Sequence, residues 1–367
     1  MTSRTLSVQP VSEAELRTWG ETIRKPEVSL VTRAQAMWGL RHAKEPLAAQ
    51  LLADYIVQVV PPSPGANALL QHEAAYCLGQ KGDVASVDAL ECVIRNPCHE
   101  AIVRHEAGEA LAAIAGRPGA DVARIRTILS DFVGSPIVEL SETCEIGLGR
   151  LDWLALGQPV DSAAALAESR FPNTVDPAPA FPTVSAFSAD IAELRSILLN
   201  PKEKLFSRYQ ALFSLRNASL IPNDSEGSQR MKEIIEALSA ALEAPGSALL
   251  RHEVAFILGQ LSLTKTGNFL LACLESGSAE HPMVRHEAAM ALGEVVGAAE
   301  DEAQDESGLN LDFVQRARAA LQAGLNDPEP VVRDSCALAL DMADYVVSTD
   351  RFQYATVPAA SVALSTC

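Results

Sequence analysis

The stretch RHEAAMALG, residues 285–293, recurs along the chain with its apolar residues at the same positions. The other clear copies are RHEVAFILG at 251–259, QHEAAYCLG at 71–79 and RHEAGEAL at 104–111. Apolar residues that return every three or four positions are typical of an amphipathic helix. The distance from His72 to His105 is 33 residues, which is long enough for one helical hairpin per copy. The stretch therefore predicts an array of helix pairs.

Four weaker copies flank these clear ones. They are Arg33-Ala34-Gln35, Ser141-Glu142-Thr143, Arg208-Tyr209-Gln210 and Arg333-Asp334-Ser335. Each follows another apolar segment and a turn, so we expect eight helical hairpins. Only 5% of the residues are aromatic, and Ala and Leu recur throughout, which favours helices over a β-sandwich. The predicted fold is an all-α solenoid that resembles the HEAT-repeat architecture.

A proline-rich segment at residues 159–188 divides this array. Prolines at 159, 172, 177, 179 and 182 and little helical periodicity are typical of a linker. We expect four repeats in residues 1–158, four more in residues 189–346, and a tail at residues 347–367. The His-Glu pairs fall in the second and third repeats of each half, so the two halves should be pseudo-symmetric.

The composition argues against several classes of protein. A formal net charge of −18 without a concentrated basic stripe disfavours nucleic-acid binding and favours a cationic partner. No apolar run has the length of a membrane span, so no membrane association is expected. The seven cysteines are odd in number and form no CxxC pair, which is typical of reduced thiols. The expected compartment is the cytoplasm, with the nucleus as a second one.

Five His-Glu dipeptides occur in a chain that has only seven histidines. His99-Glu100 is out of register with the repeats, and no function is assigned to it. The other four occupy equivalent repeat positions: His72-Glu73, His105-Glu106, His252-Glu253 and His286-Glu287. A histidine that only stabilises a repeat should occur in every repeat, whereas these occur in four of eight, placed symmetrically. The pattern therefore favours metal binding over a structural role.

The four pairs have the composition of a two-metal site. Neighbouring helical residues point about 100° apart, so the two members of a pair can face one cleft but seldom bind one ion in the same way. If the halves face each other, four His and four Glu converge, enough for two ions with open coordination positions. Imidazole and carboxylate without thiolate suit iron or manganese, while zinc and nickel stay open. Two His and one carboxylate per ion match non-haem iron oxygenases, so we expect two Fe2+ ions per chain.

In these pairs and in the repeats of both halves, the chain resembles the deoxyhypusine hydroxylases, a family of HEAT-repeat di-iron monooxygenases. The resemblance implies hydroxylation of the deoxyhypusine side chain on the precursor of eukaryotic translation factor five-A by dioxygen. No GxGxxG nucleotide motif is evident, so the electrons should come from an external reductant.

The resemblance also implies a division of roles between the halves. One iron would be held by His72, His105 and Glu253, and the other by His252, His286 and Glu73. Glu106 and Glu287 would then act as the catalytic pair that faces the substrate amines.

Two other functions are compatible with the residues alone. One is a HEAT-type scaffold for protein–protein interaction in which metal ions only pin the two halves together. The other is a hydrolase that uses a hydroxide bridged by two metals.

Glycine follows three of the four histidines after seven residues, at Gly79, Gly259 and Gly293. The fourth copy has Ala112 there. Glycine weakens a helix interior by about 1 kcal/mol relative to alanine, so its recurrence indicates that space is needed. That space could serve the substrate beside the metal or close packing of helices, and the sequence leaves both open.

Overall fold

The computed structural model describes residues 11–59, 66–157, 175–181, 190–219, 225–302 and 311–347. Within these residues the backbone forms sixteen α-helices and no β-strand. Numbered α1 to α16, the helices are Glu13–Thr22, Leu30–His42, Pro46–Ile56, Ala68–Lys81, Val87–Arg95, Ala101–Ile114, Val122–Ser130, Val138–Ala155, Ile191–Leu199, Leu205–Ala218, Ser225–Leu242, Ala248–Leu261, Thr264–Glu275, Pro282–Glu302, Leu311–Gly324 and Pro330–Val347. None of these helices combines the length and the hydropathy that crossing a membrane requires. The predicted all-α fold is confirmed.

The even-numbered helices form the inner layer of a closed solenoid. Each packs against the odd-numbered helix before it and against the next even-numbered helix. The series closes because α16 packs on α2 and α4, while α8 packs on α10 and α12. The N-terminal and C-terminal halves therefore meet at two seams, and side chains on the inner helices of both halves can share one site. The count of eight hairpins for the whole chain stays a prediction.

The residue before each histidine position ties its helix to the preceding turn. Seven of these residues donate side-chain hydrogen bonds to upstream backbone carbonyls: Arg33, Gln71, Arg104, Arg208, Arg251, Arg285 and Arg333. Carbonyls at the ends of helices and in the turns between them lack intrahelical partners, so these bonds satisfy them and fix the rotation of the inner helix. In the fourth repeat, Ser141 takes this place and accepts a 2.8 Å bond from the Gly134 amide. Glu142 is therefore the residue aligned with the histidines.

The recurrent glycines lie where inner helices cross closely. A Cβ on Gly79 would lie 2.9 Å from the Cα of Ala110, and one on Gly259 would lie 2.9 Å from the Cα of Ala291. Gly293 meets the backbone of the next inner helix in the same way. Backbone atoms in a packed core cannot move aside as a flexible side chain would. The glycines thus serve helix packing, which is the second of the two roles that the sequence leaves open.

Equivalent polar contacts join the halves at the two seams. Glu142 accepts a 2.6 Å hydrogen bond from the Ser247 hydroxyl, and Asp334 accepts a 2.8 Å bond from Asn67 Nδ2. Ser247 and Asn67 are the N-cap residues of α12 and α4, the first histidine-bearing helix of each half. Both acids stand at the histidine position of their own repeat. The pseudo-symmetry of the sequence therefore extends to the contacts that close the solenoid.

Part of the proline-rich linker is packed against both halves. Residues 175–181, which we call the strap, are non-helical as expected. Val175 exchanges hydrogen bonds of 2.7 and 3.1 Å with the side chain of Gln80 in the N-terminal half. Asp176 forms a bidentate ion pair with Arg216 in the C-terminal half, at 2.8 and 2.5 Å. The strap is therefore a structural element rather than a loose connection.

The predicted boundaries at residues 158 and 189 fall between the end of α8 and the start of α9, whereas the one at residue 346 falls one residue before the end of α16 at Val347. Helix α8 ends at Ala155 and α9 begins at Ile191. Residues 158 and 189, where the boundaries were placed, lie outside the described residues, as do residues 348–367 of the tail. The exact boundaries stay a prediction.

Candidate metal centre

The four in-register pairs lie on four inner helices, α4, α6, α12 and α14. Each histidine is the fifth residue of its helix, so the four side chains project from equivalent places. All four histidines and three of the glutamates are buried, with at most 7% of their surface exposed, whereas Glu73 is partly exposed. A shared register on neighbouring helices thus places all eight residues in the interior of the solenoid.

Closure of the solenoid brings the four imidazoles together. The ring centroids of His72 and His105 are 5.4 Å apart, and those of His252 and His286 are 5.2 Å apart. Across the halves, the ring of His72 lies 5.2 Å from that of His286, and the ring of His105 lies 5.7 Å from that of His252. The two halves therefore contribute to a single cluster.

In the N-terminal half, Glu106 lies with the histidines. Its Oε2 is 3.4 Å from His72 Nε2 and 3.9 Å from His105 Nε2. One potential ligand atom from each of these three residues falls within 4.8 Å of the other two. Glu73 occupies a different place, with its Oε1 3.3 Å from His72 Nδ1. The structure thus groups Glu106 with the histidines to which the resemblance had assigned Glu253.

The C-terminal half repeats one contact of this arrangement. Glu287 Oε2 lies 3.5 Å from His252 Nε2, as Glu106 lies beside His72. Ligand atoms of His252, His286 and His72 also fall within 4.8 Å of one another, which links the two halves. Glu253 is buried, and burial raises its pKa well above the usual value, with Glu109 and Asp176 adding to the rise.

The nitrogen atoms of the cluster that have no hydrogen-bond partner fit a metal centre. The Nε2 atoms of His72, His105, His252 and His286 are buried and have no hydrogen-bond partner among the described residues. A buried polar atom without a partner destabilises a protein by about 1–3 kcal/mol, so four in one cluster indicate that another group binds there. Imidazole and carboxylate are a donor set that iron accepts.

Burial and mutual repulsion disfavour the charged forms of the histidines and glutamates in the cluster. Burial, followed by neighbouring imidazoles, lowers the pKa of His105 and His286 well below the usual value and that of His252 to about 3. Burial and neighbouring carboxylates raise the pKa of Glu106 and Glu287 well above the usual value. Divalent cations bind neutral imidazole and ionised carboxylate, so they would offset the repulsion between the acids.

Residues four positions after the histidines were not identified from the sequence. The rings of Tyr76 and Phe256, one from each half, are 6.4 Å apart. Glu109 and Met290 hold the same position in the other two helices, and all four side chains are partly exposed. A spacing of four residues places them on the histidine face, one helical turn away, and that spacing could have identified them. They lie on the histidine face of their helices and are partly exposed, so we expect them beside the cluster.

Two hydroxyl groups reach the cluster from the outer repeats. Thr143 Oγ1 lies 3.3 Å from His105 Nδ1, and Ser335 Oγ lies 3.4 Å from His286 Nδ1. Sequence reasoning passed over both residues. They stand in α8 and α16 at the position that glutamate occupies in the metal helices.

Known proteins with similar sequences share nearly the whole length of this chain. The family of HEAT repeats matches residues 235–341. Deoxyhypusine hydroxylase of Mus musculus is 38% identical over 345 residues, covering 94% of this chain and 96% of the mouse protein. The chain belongs to the deoxyhypusine hydroxylase family. The family proteins of Homo sapiens and Drosophila melanogaster are 37% and 36% identical, with the same coverage.

A solved structure of the deoxyhypusine hydroxylase family has the same fold. The structure of human deoxyhypusine hydroxylase in complex with glycerol aligns with a TM-score of 0.71 at 36% identity. The alignment covers 90% of this chain and 96% of the human chain. The resemblance stated from the His-Glu pairs is confirmed, and relationship to deoxyhypusine hydroxylases indicates a hydroxylating enzyme.

Proposed function

We propose that this chain hydroxylates the deoxyhypusine side chain of the precursor of eukaryotic translation factor five-A, with dioxygen, at a pair of iron ions. The names of its relatives support the reaction. The observation that carries the metal centre is the cluster of four buried Nε2 atoms without hydrogen-bond partners among the described residues, flanked by carboxylates. We place the reaction in the cytoplasm.

The distances support one set of three ligands in the N-terminal half, His72, His105 and Glu106. The contact of Glu287 with His252 and the pseudo-symmetry of the halves extend this to a second set, His252, His286 and Glu287. Each glutamate is close to the histidine of the preceding inner helix, because it points about 100° away from the histidine beside it in sequence. This division exchanges the roles that the resemblance implied, and it leaves Glu73 and Glu253 for the substrate.

The remaining side chains suit an aliphatic diamine. Deoxyhypusine carries two amines joined by methylene groups, and Glu73 and Glu253 offer carboxylates for ammonium groups. Burial raises the pKa of Glu253 well above its usual value, and a bound ammonium ion would favour its ionised form again. Tyr76, Phe256 and Met290 are partly exposed and can pack against the methylene chain. These contacts would orient one C–H bond towards the metal ligands.

Hydroxylation at this site needs dioxygen and two electrons. Iron ions held by the two ligand sets would supply the activation of dioxygen. One oxygen atom enters the C–H bond and the other leaves as water, so each turnover consumes two electrons from a separate reductant. Burial of the ligand sets keeps bulk water away from the reacting bond.

The test is an assay of the purified, iron-loaded chain with a deoxyhypusine-containing factor five-A precursor and a chemical reductant. Mass spectrometry should show the gain of one oxygen atom, and isotopically labelled dioxygen should deliver the label to the product. Equal product with and without dioxygen would overturn the proposal in favour of hydrolytic chemistry. Absence of product together with tightly bound zinc would favour the metal-pinned scaffold.

A further inference from the structure

The outer repeats at the two seams present hydroxyl groups to the metal cluster. Thr143 and Ser335 are both buried, at 2% and 0% exposure, and both lie within hydrogen-bond distance of a histidine Nδ1. The contacts are equivalent in the two halves although one residue is a threonine and the other a serine. Because threonine and serine share only their hydroxyl group, the equal geometry indicates that the hydroxyl is what this position requires.

The direction of the hydrogen bond can be read at Ser335. Its Oγ donates a 2.8 Å bond to the carbonyl of Val331 in the same helix. A hydroxyl has one hydrogen, so towards His286 the Ser335 oxygen acts as an acceptor. His286 Nδ1 must then carry the proton, which leaves Nε2 unprotonated. Nε2 is the nitrogen that lies buried without a hydrogen-bond partner among the described residues.

Packing holds Thr143 in the equivalent place. A Cβ on Gly108 would lie 3.2 Å from the Thr143 methyl group, so glycine at this position lets α8 approach α6 closely. The approach sets the Thr143 hydroxyl 3.3 Å from His105 Nδ1. The two hydroxyls therefore reach the second histidine of each half from a neighbouring helix.

We propose that Ser335 and Thr143 are positioning residues that select the Nδ1-protonated tautomer of His286 and, by the pseudo-symmetry of the two halves, of His105, and so present Nε2 to the metal. The proposal deepens the proposed function, because it gives a role to residues outside the ligand sets. Partners of the non-coordinating nitrogen fix ring orientation, and their loss typically weakens metal binding by about 10- to 100-fold. His72 and His252 have different surroundings, since His72 Nδ1 faces Glu73.

The experiment compares Thr143→Val and Ser335→Ala with the unaltered chain. The first measurement is Fe2+ affinity of the metal-free protein, by anaerobic competition with a chelator. The second is the tautomer of each histidine, by long-range 1H–15N NMR of the metal-free protein labelled on its imidazole nitrogens. We expect each variant to bind one of the two ions about 10- to 100-fold more weakly and to lose the fixed tautomer at one histidine.

Two further variants separate positioning from stability. Thr143→Ser keeps the hydroxyl and should retain both the affinity and the tautomer. Thr266→Val removes a hydroxyl that is equally buried but bonds only to the carbonyls of Leu258 and Leu263. It should lower the stability and leave Fe2+ affinity unchanged.

The outcomes distinguish this proposal from the proposed function. If Thr143→Val and Ser335→Ala lower stability as Thr266→Val does, with affinity and tautomers unchanged, the hydroxyls are only structural and the proposal fails. If the unaltered chain shows Nδ1-protonated His105 and His286 that the variants lose, but it does not hydroxylate deoxyhypusine, positioning stands and the proposed function fails.

Discussion

The N-terminal and C-terminal halves of the metal centre use equivalent helices but differ in their surroundings. Glu73 lies 3.3 Å from His72 Nδ1, whereas His252 Nδ1 has no hydrogen-bond partner in the described parts of the chain. Four residues after the second histidine, the N-terminal half has Glu109 and the C-terminal half has Met290. The repeat keeps the potential metal ligands alike, and the differences lie on the side proposed for the substrate. Pseudo-symmetry therefore constrains the metal ligands more tightly than their accessible neighbours.

The strap adds a second difference between the halves. Arg150 of the N-terminal half donates a 2.8 Å bond to the Asp176 carbonyl, while Arg216 of the C-terminal half pairs with the Asp176 carboxylate. Among the residues that the structure describes, the solenoid has two similar seams but one strap. The strap therefore gives the two equivalent ligand sets chemically different surroundings.

The largest expected effect comes from replacing the glutamates that we propose as metal ligands, compared with replacing those that we propose for the substrate. Glu106→Gln and Glu287→Gln should each lose one bound iron, and turnover should fall by more than about 100-fold, beyond the effect of an outer-shell partner. Glu73→Gln and Glu253→Gln should keep both ions and lose substrate affinity. Metal analysis and a binding assay with the modified precursor measure the two properties separately. Retention of iron in Glu106→Gln with its loss in Glu253→Gln would restore the division implied by the resemblance.

Breaking the strap should have the next largest effect. In Asp176→Asn the buried guanidinium of Arg216 loses its carboxylate, which should reduce the free energy of unfolding by about 3 kcal/mol. This is the low end for a broken buried pair, because Arg216 keeps hydrogen bonds to Asn217 and Gln260. Denaturant unfolding measures this loss of stability. The control is the exposed pair of Arg17 and Glu13, where Glu13→Gln should change the free energy of unfolding by less than about 1 kcal/mol. Equal small losses in both variants would show that the strap contributes little.

The register of the repeats was enough to predict the helices and to select the eight residues that we propose for the site. The positions of the helices and the choice of these residues both follow from a spacing of three or four residues within one helix. His72 and His252 are each the fifth residue of their helix, as that register requires. The partner of each glutamate could not be predicted, since it depends on how neighbouring helices rotate and pack. The seam contacts of Glu142 and Asp334 depend on closure of the whole solenoid, which no local spacing encodes.

Glycine substitutions test whether the two halves are packed alike. Gly79→Ala and Gly259→Ala would each place a Cβ against the backbone of a neighbouring helix, and each should lower the free energy of unfolding by about 1–3 kcal/mol. Gly116→Ala is the matched control, because its new Cβ would meet no atom closer than 3.8 Å. Thermal or denaturant unfolding of all three variants measures the effect. Loss of turnover at unchanged stability in Gly79→Ala would instead return the glycines to the role of making room for substrate.

The smallest expected effect comes from replacing Glu109, which stands in the N-terminal half where the C-terminal half has Met290. Desolvation by the surrounding helices raises its pKa to about 7, with Asp176 adding to the rise and Arg150 opposing it. Because the folded-state pKa lies above the ordinary value of 4.5, the neutral carboxyl group stabilises the fold below that value. This stabilisation is lost as the pH rises through about 7. Glu109→Gln should therefore be more stable than the unaltered chain at about pH 8, relative to the same comparison at about pH 5.

Denaturant unfolding of the metal-free protein at the two pH values measures the effect of Glu109→Gln. Met290→Leu, at the equivalent position of the C-terminal half, removes no titrating group and should give the same change in stability at both pH values. An identical pH response of the two variants would show that Glu109 titrates as an ordinary carboxyl group. In that case Glu109 would be largely ionised at both pH values, and the halves would differ at this position in charge as well as in shape.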